Sequence, residues 1–215
     1  MNAALGFSLH TGWAAAVVVI LEGGNFEVVT RRRLELLPPE TSVQRFVYHR
    51  AAEICTESSL DEAAAFVESA RAIVSQTARR TIQELLQSIR VEIPVGGIPS
   101  PGHKKDDGTS VPLAKILASH ALIHAAEGRL FQQAVMEACQ SCGVAPVVIH
   151  IRDVWRQAAE TCGINEKRLR QEVGAIGKQT GPPWAADQKL ATAAGLAAAA
   201  FRQNWNRATS NPVRG

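Results

Sequence analysis

Apolar positions along the chain fall into two regimes. Over the first 36 residues they form short blocks: Leu5 to Leu9, Ala14 to Leu21 and Phe26 to Leu36, separated by Thr11-Gly12 and by Glu22-Gly23-Gly24-Asn25. Short glycine-bearing connections between apolar runs join antiparallel strands, so the chain is expected to open as a three-stranded meander. Ser8 and His10 are two residues apart and share one face of the first strand, while Phe7 and Leu9 take the other. Small polar groups at the mouth of a central strand are candidates for chemistry or simply end the strand.

After Pro38-Pro39 the period becomes helical. Thr41-Ser42 offer caps for a helix over Val43 to Cys55. Ser59 and Glu62 are spaced as a capping box at the head of a long helix reaching Ile89, with Phe66, Ile73, Val74, Ile82 and Leu85 on its apolar stripe. Val91 to Val95 reads as a short fourth strand ended by Gly96-Gly97, and its Pro94 places it at an edge, a bulge or a strand end. A breaker-rich loop, Pro99 to Pro112, carries Lys104-Lys105 beside Asp106-Asp107, a solvated pairing in which the charges cancel. A second long helix is expected from Leu113 to Cys142, then a buried fifth strand from Val144 to Ile151. Asp153 and Asn165 cap two further helices, and a last helix runs from Trp184 to about Trp205 after Gly181-Pro182-Pro183. The expected fold is therefore α/β: a mixed five-stranded sheet in the order β-β-β-α-β-α-β-α, with helices on both faces and inserted helices. One domain spans 1–207, and 208–215 form a loose tail.

Bulk properties narrow the picture only slightly. The 215 residues suffice for one sizeable core, and 46% hydrophobic with 20% charged residues is ordinary for a globular protein. A net charge of +3 is too small to argue for nucleic acid by itself. Arg31-Arg32-Arg33 reads as a solvated strand edge. No run reaches the ~18 apolar residues of a membrane span, so no membrane partner is expected. Cys139 and Cys142 form a lone C-x-x-C without a second pair, and read as free thiols in a cytoplasmic, reducing compartment.

The order of elements, with its meander start, resembles the ribonuclease H-like superfamily, and within it the RuvC-type Holliday-junction resolvases and their YqgF-like relatives. Gly6-Phe7-Ser8 followed by Thr11-Gly12-Trp13-Ala14 is similar to a family opening of Gly-x-Asp-x-x-x-x-Gly-x-Ala. Gly128 to Val148 resembles the family's second helix and fifth strand, and Ala186-Asp187 with the alanine-rich run to Ala200 is similar to its closing Ala-Asp-Ala helix. The resemblance implies a nuclease that holds Mg²⁺ or Mn²⁺ on carboxylates at the ends of strands one and four and on the last helix, the two ions roughly 3.5–4 Å apart. Carried over residue by residue, Asp187 matches the last-helix acid. Ser8 stands at the strand-one aspartate position, Glu92 is the candidate in strand four, and Trp184 stands where the family often has a further carboxylate.

On this basis the expected catalytic set is Glu127, Asp187, His10 and Ser8. Glu127 replaces the strand-four acid if its helix packs near the strand mouths. His10 can act as a base or a metal ligand, or be an exposed histidine of the hairpin turn. His120, His124 and Glu127 lie along one helix stripe at i, i+4 and i+7, which suits a divalent transition metal. The expected metal ligands are accordingly Glu127, Asp187 and His124. Trp184 is expected to anchor the last helix against the sheet, with base stacking as its other role. The expected function is that of a divergent RuvC-like, metal-dependent nuclease acting on structured or single-stranded nucleic acid. The alternative is a catalytically lapsed module of the same fold that binds nucleic acid or a protein, with a nucleotide-binding protein of the actin-like group as a third option. Expected partners are nucleic acid and, in a homodimer, a second copy of the chain.

Overall fold

The computed structural model describes residues 2–40, 43, 45–102 and 111–210, with the side chains of the last helix described as far as Phe201. The caps offered by Thr41-Ser42, the Lys104-Lys105-Asp106-Asp107 segment and most of the tail lie outside the described residues.

The meander forms as its alternation dictates. Strands β1 (Asn2–His10), β2 (Trp13–Glu22) and β3 (Asn25–Glu35) pair antiparallel. Gly12, Gly23 and Gly24 take positive φ at the two turns. Helices α1 (Val47–Glu57) and α2 (Leu60–Gln87) follow. The Ser59 side chain accepts from the Glu62 N–H at 3.2 Å, as the capping spacing requires. Then come β4 (Val95–Ser100), α3 (Leu113–Leu117), α4 (His120–Ser141), β5 (Ala145–His150), α5 (Val154–Cys162), α6 (Glu166–Thr180) and α7 (Ala186–Ser210). The sheet order is β3-β2-β1-β4-β5, with β4 parallel to both β1 and β5, so β1 is the central strand.

Three expectations shift. The fourth strand does not end at Gly96-Gly97 but runs through them to Ser100, so exposed Glu92 precedes the strand at the end opposite its mouth. The expected helix over 113–142 is two helices, because Ser119 is extended (φ −136°, ψ 114°) between them. The fifth strand is an edge strand: of its six residues only Ile149 is buried, and Val148 is 46% exposed.

The sheet separates two cores. Leu5 and Phe7 point to one, shared with α1, α2 and α4 through Val47, Ala70, Val74, Leu130 and Phe131. Ala4, Val17 and Val19 point to the other, shared with α5, α6 and α7. Strand alternation therefore sends Gly6, Ser8 and His10 toward α7. That helix lies very close to the sheet: a Cβ on Gly6 would meet the Ala191 carbonyl oxygen at 1.8 Å, and one on Gly97 would meet that of Ala194 at 2.0 Å. Small residues on both surfaces permit this approach, and it carries the first turn of α7 to the mouth of β1.

Candidate functional site

At the C-terminal end of β1, Ser8, His10 and Asp187 come together. The buried Ser8 hydroxyl donates to Asp187 Oδ1 at 2.9 Å, and His10 Nε2 lies 2.7 Å from the same oxygen. Asp187 is held from behind. It sits in the first turn of α7, where the helix dipole favours an anion. The turn before it is pinned by Arg31, whose guanidinium donates to the carbonyls of Thr180, Gly181 and Pro182. Trp184 donates from its indole to the Val173 carbonyl at 2.8 Å, which anchors the start of α7 on α6. Partial burial pushes the Asp187 carboxyl up. The hydrogen bonds to His10 and Ser8, with the charges of His10 and Arg33, outweigh that and hold it below the ordinary carboxylate range.

Outside this cluster the His10 ring stacks on Trp13, centroids 4.1 Å apart and planes 5° from parallel, and the Arg33 guanidinium lies 3.8 Å from the centre of the same indole. The Arg31-Arg32-Arg33 run thus splits its roles. Arg31 braces the loop before α7, Arg33 is laid on an aromatic face beside the site, and Arg32 is exposed. A cavity of about 420 Å³ opens next to the cluster. It is lined by Ser8, His10 and Asp187 from the β1–α7 side, and by His124, Phe131 and Gln132 of α4.

Glu127 does not join this group, which corrects the expectation that it shares a metal with Asp187. Its helix packs on the opposite face of the sheet from α7, and it is not among the residues lining the cavity. Buried to 2% exposure, its carboxylate accepts the backbone N–H groups of Val47, Tyr48 and His49 at 2.8–3.2 Å. These are the first residues of α1, and the α1 N-cap position, Phe46, makes no side-chain cap bond. Glu127 therefore caps α1 from another helix. A lone glutamate amid Ile123, Ala126, Leu130 and Phe131 on an otherwise apolar stripe is the sequence signal for such a role. His124 likewise parts from Asp187 and Glu127 as a ligand set. Its Nε2 lies 2.9 Å from that of His120, and both rings pack against His49, a residue the sequence pattern does not single out.

The residues at the strand mouths do not fit a pair of Mg²⁺ or Mn²⁺ ions. Such hard ions take several oxygen ligands, chiefly carboxylates. Among the described residues, Asp187 is the one carboxylate lining the cavity, Ser8 spends its proton on it, and β4 ends in Ser100 rather than an acid. The C-x-x-C pair is also quiet: all four cysteines are free, and burial pushes the Cys139 thiol up to about 12.

No protein-family model matches the sequence, and no curated protein matches it. Solved structures do resemble it in fold. Thermus thermophilus RuvC in complex with a Holliday junction substrate superposes with a TM-score of 0.55 at 12% identity, over 95% of this chain and 96% of that one. A second Thermus thermophilus RuvC structure gives a TM-score of 0.50 at 12% identity, covering 94% and 96%. The fold is thus RuvC-like, of the ribonuclease H-like type, as the order of elements implies.

Proposed function

We propose that this protein is a nucleic-acid-binding module on a RuvC-like fold, in which the two-metal cleavage centre has given way to a hydrogen-bonded Ser8–Asp187–His10 cluster. The observation that carries this reading is the Ser8 hydroxyl donating to Asp187 at the mouth of the central strand, where the resemblance calls for a second carboxylate. Without that acid, the cavity has one anionic ligand among the described residues, too few to clamp both the attacking and the leaving oxygen of a phosphodiester.

Binding remains within its reach. His10 presents its ring to the cavity, backed by Trp13, whose other face carries the Arg33 guanidinium paired with Glu35, and Phe131, Pro99 and Leu190 give part of the lining apolar character. Stacking rings beside cations suit unpaired bases and their phosphates. Because a RuvC neighbour is seen with a Holliday junction, a four-way junction is the first probe, beside single-stranded and duplex DNA.

The test is a binding titration with each labelled DNA over increasing salt, with cleavage followed in parallel in Mg²⁺ and Mn²⁺. The module reading expects binding that weakens as salt rises, that falls in Trp13→Ala and Arg33→Ala, and that leaves the DNA intact. Cleavage that disappears in Asp187→Asn would establish the nuclease instead. Failure to bind any of the three DNAs at micromolar protein and low salt would end the nucleic-acid reading.

A further inference from the structure

Three histidines from two helices converge away from the Ser8–Asp187–His10 cluster. His120 and His124 are one turn apart on α4, with their Nε2 atoms 2.9 Å from each other. His49, in the first turn of α1, packs edge-on against both, with ring centroids 5.5 and 4.9 Å away. One nitrogen from each ring lies within 4.8 Å of the others.

We propose that His49, His120 and His124 bind one divalent transition-metal ion of the zinc type, with Glu127 as the positioning residue behind His49. Three imidazoles select borderline ions such as Zn²⁺, Co²⁺ or Ni²⁺ over Mg²⁺, which prefers oxygen. In a tetrahedral zinc site, nitrogens about 2.0–2.1 Å from the ion stand about 3.3 Å apart, so small side-chain rotations bring these three to that spacing. The supporting carboxylate is in place: Glu127 Oε1 lies 3.2 Å from His49 Nδ1. With Nδ1–H donated to that oxygen, the Nε2 lone pair of His49 is left for a metal, the arrangement in which a carboxylate orients a ligating imidazole. Glu127 is itself fixed by the α1 backbone, which makes the support rigid. Three protein ligands leave a fourth position open to water or a small anion, and exposed His120 and His124 give an ion access from solvent. His124 also lines the cavity, so the ion sits at its rim. The site stands on its own geometry and is independent of the nucleic-acid reading.

Untagged full-length protein, stripped with chelator, is dialysed to equilibrium against Zn²⁺, and its visible absorption is recorded with Co²⁺. The expected result is one ion per chain at micromolar or tighter Kd, with the intense Co²⁺ bands of a four- or five-coordinate site. His120→Ala and His124→Ala each weaken binding at least tenfold, and the double variant abolishes it. Both positions are exposed, so the fold tolerates these changes. His150→Ala, outside the cluster, leaves binding unchanged. Glu127→Gln keeps the stoichiometry but weakens binding about tenfold and alters the Co²⁺ spectrum; a native spectrum and affinity there would remove Glu127 from the site. Binding of less than one ion, or undiminished affinity in the double variant, would reduce the three rings to a surface aromatic cluster and overturn the proposal.

Discussion

The Ser8 hydroxyl donates to Asp187 across 179 residues of sequence, joining the central strand to the first turn of the last helix. This bond stands where two carboxylates would face each other in a metal-dependent centre. Replacing Ser8 with Asp puts like charges side by side and removes a donor. The Ser8→Asp protein is expected to lose about 1–3 kcal/mol of stability. Adding Mg²⁺ should recover it, since a ligand at 100 times its Kd returns about 2.7 kcal/mol. Thermal scans with and without millimolar Mg²⁺ check this: the melting temperature of the variant should rise with metal, and that of the native protein should not. A rise in the native protein would show that Asp187 already holds an ion.

Asp187 also predicts an acid limb. Its carboxyl is held below the ordinary range in the folded protein, so the unfolded chain binds the proton first. The stabilisation is fully present above the unfolded carboxyl value of about 3.9 and is lost as pH falls through the lower folded value. Urea unfolding should therefore show the native protein more stable than Asp187→Asn at about pH 5. The gap should close as the pH drops further. A gap that widened in acid would reverse the sign and contradict the hydrogen-bond assignment.

Glu127 is expected to matter for stability whatever binds nearby. Glu127→Ala strands three buried or half-buried N–H donors at the start of α1, at a cost of about 2–4 kcal/mol. Glu127→Gln keeps an acceptor and should lose less. Denaturant unfolding gives the magnitudes, and hydrogen exchange locates the loss. Val47, Tyr48 and His49 amides should lose protection first.

The contact of α7 with the sheet is tested by single methyl groups. Gly6→Ala drives a Cβ to 1.8 Å from the Ala191 carbonyl oxygen, where backbone must move, and should cost at least about 3 kcal/mol, the upper part of the overpacking range. Gly174→Ala, in α6 with nothing within 4 Å of the added carbon, should instead raise stability by up to about 1 kcal/mol. Opposite signs in the two midpoints of unfolding are the expected signature.

The cysteines should behave as separate thiols. With Cys139 buried and its thiol pushed up to about 12, alkylation of the native protein at pH 8 should label half-buried Cys142 and leave Cys139 unmodified until the protein unfolds. Mass spectrometry of the labelled peptides decides it. Rapid labelling of Cys139 would revive the C-x-x-C as a reactive pair.

Much of the architecture was written locally. Period-two alternation and glycine turns specify the meander, and they already put Ser8 and His10 on one face. The Ser59–Glu62 spacing and Asn165 start their helices as expected, and the order of elements implies the RuvC-like topology that the solved structures share. These features depend on neighbours in sequence, so a window of a few residues carries the information.

The site was legible only in part. Ser8 and Asp187 follow from the resemblance and His10 from the strand alternation, but their mutual bonding depends on how far α7 sinks onto β1, which Gly6, Gly97 and Ala191 decide through contacts some 100 to 190 residues apart. The helical stripe of His120, His124 and Glu127 is visible in sequence, yet which layer α4 joins is not. Packing placed that stripe against α1, so Glu127 went to cap a helix that lacks its own cap, and His49 was drawn in as the third histidine. Periodicity determines what each segment becomes. Only the burial of apolar faces between layers decides which polar groups are left to meet.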